Sequence, residues 1–311
     1  GGRLRVPGDK SISHRAVIFS ALADGVSHIE GLLEGEDVLA TLAAFRAMGV
    51  MAEGPANGKL VIVGAGMDGL KASKSALDMG NSGTAMRLMS GVLAAQSFNS
   101  VLVGDESLSS RPMRRIMIPL EKMGADCRVE ADGTPPIQIR ATDHLRGIHY
   151  DLPVASAQVK SAILLAGLYA KGTTKVVEPA ATRDHTERML NAYGYACVTE
   201  QSVISLEGGG HLTAQDISVP ADISSAAFFM VLASIVPGSQ ILLEHVGVNA
   251  TRTGVINILR LMGADIELIN PREVGGEAVA DIQVSYSGLA GIDVPPEQVP
   301  LAIDEIPAIC I

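Results

Sequence analysis

Apolar positions along this chain follow a pattern that repeats. Four stretches rich in alanine and other small apolar residues each sit behind a polar turn: "GDKSISHRAVIFSALADG", "GNSGTAMRLMSGVLAAQ", "ASAQVKSAILLAGLYAKG" and "ADISSAAFFMVLASIVPG". Their density of apolar side chains predicts buried helices. A short strand follows each, and then a second, amphipathic helix starts at "EDVLAT", "SRPMRR", "TRDHTE" and "TRTGVI". Ser110, Thr182 and Thr251 are the expected N-caps of the last three, with Arg111, Arg183 and Arg252 just after them. Each second helix runs out at a glycine, Gly49, Gly124, Gly194 or Gly263, roughly 70 residues apart. An alternating stretch such as "DCRVEA" or "DIELIN" then reads as a strand. The unit is strand–helix–strand–helix–strand, which implies an α/β fold with the Ala-rich first helices most buried. A fifth unit opens at "VPLAIDEIPAICI" and stops at Ile311 inside its first helix, so the chain reads as C-terminally incomplete.

Composition narrows the chemistry. The 311 residues are 47% hydrophobic but only 3% aromatic, with no tryptophan, which calls for an aliphatic core. The net charge of −10 argues against nucleic acid or an anionic membrane as partner. The longest apolar run, residues 226–237, is too short to cross a bilayer, which takes about 20 helical residues. Cys127, Cys197 and Cys310 lack metal-ligand spacing and read as small buried residues of a reduced, cytoplasmic protein.

Three apparent motifs are set aside. "GAGMDG" has dinucleotide-loop spacing but no full helix or acidic residue where a nucleotide would need them, and reads as a hairpin loop. "GDKS" has Asp9 where a phosphate-binding loop needs glycine. His185 in "RDHTE" lacks a second ligand at metal spacing and reads as part of a capped helix turn.

The cations gather at the helix starts. Lys10 and Arg15 lie in the first turn of unit one; Asn81, Thr84 and Arg87 in that of unit two; Ser156, Gln158 and Lys160 in that of unit three. Arg111 and Arg183 are expected to open the second helices. Helix N-termini already offer free N–H groups and partial positive charge, so these ends together make a site for a small substrate with several negative groups.

The motifs "PGDKSISHRA", "GNSGTAMRL", "SRPM", "SAQVKSAILLAGL", "TRDHTERML", "NATRTG" and "AIDEIP" occur in order from end to end. On them the chain resembles the 5-enolpyruvylshikimate-3-phosphate synthase family, and its GDKS, SAQVK, RDHTE and NATR resemble the class II, glyphosate-tolerant branch. The resemblance implies transfer of the enolpyruvyl group of phosphoenolpyruvate to shikimate 3-phosphate, by a cytoplasmic monomer that needs no metal or organic cofactor. It implies a two-domain inside-out α/β barrel of βαβαββ units with the substrates in the cleft between domains. Residues 8–218 would form the complete three-unit domain, and 1–7 with 219–311 a partial second one.

Residue by residue, the resemblance makes Lys10 a contact of both substrates, and Ser11 and Arg15 the pair for the shikimate carboxylate. Asn81, Gly83 and Arg111 fall to phosphoenolpyruvate. Ser156, Ala157, Gln158 and Arg183 fall to the phosphate side of shikimate 3-phosphate, with Gln158 also reaching phosphoenolpyruvate. Asp304 would bind the attacking hydroxyl and take its proton. A "KESDR"-like segment and a later arginine and lysine expected of the family do not occur before Ile311, so a chain ending there is expected to be inactive. Glyphosate occupies the phosphoenolpyruvate site in this family; the class II motifs imply tolerance, but Gly83 leaves room for the inhibitor, so intermediate sensitivity is expected. The alternatives are the sister enzyme acting on UDP-N-acetylglucosamine and a non-catalytic anion-binding fragment. Ser11 after Lys10, and a loop "GDESLSSRP" without cysteine, argue against the sister enzyme.

Overall fold

The computed structural model describes residues 1–311. A strand β1 (Gly2–Leu4) precedes the first unit. That unit runs α1 (Lys10–Leu22), β2 (Val26–Glu30), α2 (Glu36–Ala47), β3 (Met51–Ala56) and β4 (Lys59–Val63). The second is β5 (Leu77–Asp78), α3 (Gly83–Leu93), β6 (Ser100–Val103), the one-turn α4 (Glu106–Ser109), α5 (Arg114–Met123), β7 (Asp126–Arg128) and β8 (Ile137–Arg140). The third is β9 (His149–Asp151), α6 (Ala157–Gly167), β10 (Thr173–Val177), α7 (His185–Ala192), β11 (Cys197–Glu200) and β12 (Val203–Glu207). After β13 (Ile217–Ser218), the fourth is α8 (Ile223–Ile235), β14 (Gln240–Gly247), α9 (Gly254–Leu261), β15 (Asp265–Val274) and β16 (Glu277–Ser285), followed by α10 (Ile306–Ile309).

Each unit thus closes with an antiparallel pair of strands, one strand more than the hydrophobic pattern indicated. The same four-stranded sheet is built four times: β13-β2-β4-β3, β5-β6-β8-β7, β9-β10-β12-β11 and β1-β14-β16-β15. In every one the leading strand is parallel to the next and the rest are antiparallel. Two leading strands are exchanged over long distances in the chain. β1 heads the fourth sheet, and β13 heads the first.

The helices sit where their sequences put them. Asp9, Ser82, Ser156 and Asp222 cap α1, α3, α6 and α8 through their side chains. Gly49, Gly124, Gly194 and Gly263 all have positive φ, between 79° and 105°, the left-handed geometry that ends a helix and turns the chain into a strand. α1, α3 and α6 are buried along nearly their whole length, and α3 packs closely on α6 at small residues: a Cβ on Gly91 would lie 2.3 Å from the Ala162 carbonyl oxygen. One aliphatic core holds residues between Ile12 and Val219; a second holds Val6 and residues between Ala221 and Ile309. α8 differs from the other first helices, because Phe228 and Leu232 are exposed.

Several expectations need correction. Ser110, Thr182 and Thr251 do not cap the second helices. Ser110 follows α4 and donates to the Ser107 carbonyl; Thr182 donates to Glu178; Thr251 donates to Asn249 within a tight turn. α5, α7 and α9 begin later and have no side-chain cap, so Arg111 and Arg183 lie in the loops ahead of them. "GAGMDG" is not a hairpin loop, since β4 and β5 belong to different sheets. Cys127 and Cys197 are buried, and burial pushes both thiols up to about 12, but Cys310 is exposed because it sits at the end of α10. No helix is long and apolar enough to cross a membrane.

Candidate active-site cleft

Where the two cores meet, the N-terminal ends of α1, α3, α6 and α8 face a common cleft of about 410 Å³. Its lining is almost wholly polar. It includes Lys10, Ser11, Arg15, Ala157, Gln158, Arg183 and Asp304, seven of the residues singled out in the sequence. Asp9 and Ser156 cap α1 and α6 through their side chains, so Lys10 and Gln158 are not needed as caps; Ser156, a candidate itself, does so from outside the cleft lining.

Arg15 is fixed by neutral partners alone. Its Nε donates to Thr186 Oγ1 at 2.7 Å, one Nη to the Ser11 carbonyl at 2.9 Å and the other to Ser161 Oγ at 2.8 Å. Burial brings it down to about 10, still fully cationic at neutral pH, and no carboxylate is bonded to it. A buried guanidinium held by hydroxyls and a carbonyl is a preorganised place for an anion. Lys10 is half exposed and reaches Asp37 at 3.3 Å. Arg183 donates to Asp304 across the cleft, joining α7's leading loop to the segment after the fourth unit.

Asn81, Gly83 and Arg111 form a shelf beside this lining. Arg111 donates to Asn81 Oδ1 at 2.5 Å, and Asn81 donates to Asp105 Oδ2 at 2.7 Å. Gly83 opens α3 directly beneath two guanidiniums: a Cβ there would lie 2.9 Å from Arg87 Nη1 and 3.2 Å from Arg111 Nη1. Gln158 links shelf and cleft, accepting from Arg87 at 2.6 Å and donating to Thr84 at 3.0 Å. Burial first, and then repulsion from Arg115 and Arg111, brings Arg87 down to about 10. Three arginines gathered without a bonded carboxylate make a strongly anion-seeking surface.

Lys160 does not belong here. It is fully buried and paired with Glu178 at 3.0 Å and Glu187 at 2.6 Å, an internal ion pair on the far side of the α6 first turn. Helical phase explains the misreading: Gln158 and Lys160 are two positions apart, on different faces.

The hydrophobic pattern also missed part of the lining. Asp9, Asp222, Ser224, His185 and Arg252 all reach the cleft. Arg252 is buried among Asp9 at 3.6 Å, Asp222 at 3.6 Å and Glu305 at 3.5 Å, and donates to Ser224 Oγ at 2.5 Å. Burial opposes its charge, but the three carboxylates outweigh burial and hold it above the usual arginine range. Burial would likewise raise Asp9, yet His185, Arg252 and the Ile12 N–H hold it below the usual carboxylate range. Arg252 occupies in unit four the place of Arg111 and Arg183 in units two and three, so the repeat itself marked it. His185 is not in a capped turn: its Nδ1 lies 2.6 Å from Glu277 Oε1, and Asp184, beside it, accepts from Asn249 instead of capping.

The family described as EPSP synthase (3-phosphoshikimate 1-carboxyvinyltransferase) matches residues 1–311. A 3-phosphoshikimate 1-carboxyvinyltransferase of Alkalilimnicola ehrlichii is 60% identical over 99% of this chain and 69% of its own length. That of Methylococcus capsulatus is 59% identical over 100% of this chain and 71% of its own. The solved structure of EPSP synthase from Acinetobacter baumannii superposes with a TM-score of 0.95 at 60% identity, covering 99% of this chain and 70% of that one.

Proposed function

Because this chain belongs to the EPSP synthase family, whose enolpyruvyl transfer from phosphoenolpyruvate to the 5-hydroxyl of shikimate 3-phosphate it shares, we propose that the polar cleft between its two cores is where both substrates react. Shikimate 3-phosphate takes the Lys10, Ser11, Arg15, Ser156, Ala157, Gln158 and Arg183 side. Phosphoenolpyruvate takes Lys10, Gln158 and the Asn81, Gly83 and Arg111 shelf. The observation that carries this reading is Arg15, hydrogen-bonded only to neutral partners and lining a cleft with almost nothing apolar in it.

The chemistry asks for three things. A base takes the proton of the attacking hydroxyl, an acid protonates the methylene carbon, and fixed cations carry the charge of the departing phosphate. Asp304 is the base. It is paired with Arg183, and a substrate phosphate arriving at Arg183 releases it toward the hydroxyl. Lys10, on a mobile and half-exposed stem, reaches both anions. Holding both reactants in one cleft supplies a large share of the rate.

We read residues 8–218 as one domain and 1–7 with 219–311 as the other, supported by the two separate cores. We also assign the chain to the class II branch and to a cytoplasmic monomer. The test is phosphate release from shikimate 3-phosphate with phosphoenolpyruvate, alongside calorimetric binding of shikimate 3-phosphate to the Arg15→Gln variant. Loss of binding in the variant supports the assignment. Unchanged binding, or turnover with UDP-N-acetylglucosamine in place of shikimate 3-phosphate, overturns it.

A further inference from the structure

His185 is a lining residue of the cleft with a polar atom left over. Its side chain is only 2% exposed. Nδ1 faces the Glu277 carboxylate at 2.6 Å, and Glu277 also accepts from Asn249 Nδ2 at 3.0 Å. A carboxylate can only accept here, so Nδ1 carries a hydrogen and the ring's orientation is fixed. The other nitrogen, Nε2, is buried and bonded to nothing in the protein. Buried polar atoms without partners are rare, and each carries a desolvation penalty that a bound group can remove.

We propose that His185 is a further substrate-contacting residue of this site, its Nε2 hydrogen-bonding an oxygen of bound shikimate 3-phosphate while Glu277 holds the ring in place. The proposal rests on the substrate placement given above. Arg183, two residues earlier, puts that substrate's phosphate end at the same wall of the cleft. The ring stands among charges from every side. Glu277 comes from β16, Asp9 from the segment before α1, and Arg183 and Asp184 from its own loop; Arg252 lies just beyond Asp9. With Nδ1 committed to Glu277, Nε2 is the ring atom left to bond an oxygen of the ligand.

An opposing account is that His185 only ties α7 to β16, joining the two cores through Glu277. Two substitutions separate the accounts, because asparagine reproduces the position of Nδ1 and glutamine that of Nε2. His185→Asn keeps the tie and removes the unpartnered atom. His185→Gln keeps that atom and removes the tie. Calorimetry with shikimate 3-phosphate should show about tenfold weaker binding for His185→Asn, the scale of one hydrogen bond to a charged group, and a smaller loss for His185→Gln. The reverse order overturns the proposal in favour of the tie. Should both variants fail to fold, ¹⁵N NMR of the unsubstituted protein decides. The Nε2 resonance moves on saturation with shikimate 3-phosphate if the contact exists, and an unmoved resonance in a protein that binds the ligand refutes it. Absence of any binding by the unsubstituted protein would instead strike the substrate placement on which the proposal stands.

Discussion

Single residues show both what the chain spells out and what it conceals. Lys10, Ser11, Arg15, Gln158 and Arg183 were legible because each stands in or just before the opening turns of a helix, and the fold brings those helix ends together. Lys160 looked the same in sequence and is an internal ion pair, because only the helical phase separates it from Gln158. Lys10→Ala should lower kcat/KM by about 100-fold, the scale of one lost transition-state contact, and steady-state kinetics near the unsubstituted rate would reject its role. Gly83→Ala pushes on the ends of two arginine side chains rather than on backbone, so the fold should tolerate it. Displacing Arg87 and Arg111 should weaken glyphosate inhibition, and an unchanged inhibition constant would reject the steric account. His14 supplies a pH signature. It is buried beside Thr41, and burial, aided by Arg15 and Lys10, brings it down to about 3 from an ordinary 6.5. A depressed folded value means the unfolded chain binds the proton first. Its contribution is therefore complete above pH 6.5 and is lost as pH falls toward 3, about 2 kcal/mol of it by pH 5. Denaturant titrations at pH 7 and pH 5 should show that loss, and His14→Asn should flatten it; an equal slope in the variant would assign the effect elsewhere.

At the scale of elements, the first helices and the glycines that close the second ones were readable because each carries a local chemical reason. A side-chain cap opens each first helix and a dense apolar run fills it, while a left-handed glycine ends each second helix. The second helices were misplaced by a few residues, since Ser110, Thr182 and Thr251 spend their hydroxyls in the preceding turns and nothing local marks the true starts. The exchange of β1 and β13 between sheets was beyond any periodicity argument. Strands of two or three residues are too short to display alternation, and only pairing partners far along the chain define them. Packing of α3 on α6 offers a direct check. Gly91 faces the Ala162 backbone too closely for a methyl group, and backbone cannot swing aside as a side-chain end can. Gly91→Ala should destabilise by about 2 kcal/mol or more, although alanine is the better helix former. A melting temperature equal to or above that of the unsubstituted protein would contradict this helix–helix approach.

The whole molecule is two cores joined by two crossing segments, and its charges concentrate at the join. The segments run side by side: the Asp9 N–H donates to the Pro220 carbonyl at 2.8 Å, and the Asp222 N–H to the Pro7 carbonyl at 2.9 Å. Arg252 reaches from the second core to a carboxylate on each segment and to Glu305 as well. It therefore fixes how the start of α1, with Lys10 and Ser11, stands against the second core. Replacing it with methionine keeps much of the volume but strands Asp9, Asp222 and Glu305 as buried acids without their cation, a change expected to destabilise by roughly 3–5 kcal/mol at pH 7.5. The pH dependence identifies the cause. Burial and then Asp9 already raise Asp222 above the usual carboxylate range, and removing Arg252 raises it further. A raised carboxylate binds its proton more readily folded than unfolded, so the variant's deficit relative to the parent must shrink as pH falls from 7.5 to 5. Paired urea titrations of both proteins at the two pH values measure that difference directly, and His14, present in both, cancels from it. Shikimate 3-phosphate binding should weaken in parallel, since the turn holding Lys10 and Ser11 loses its anchor. A deficit of the same size at both pH values would mean that lost packing, not stranded charge, explains what Arg252 does at the join.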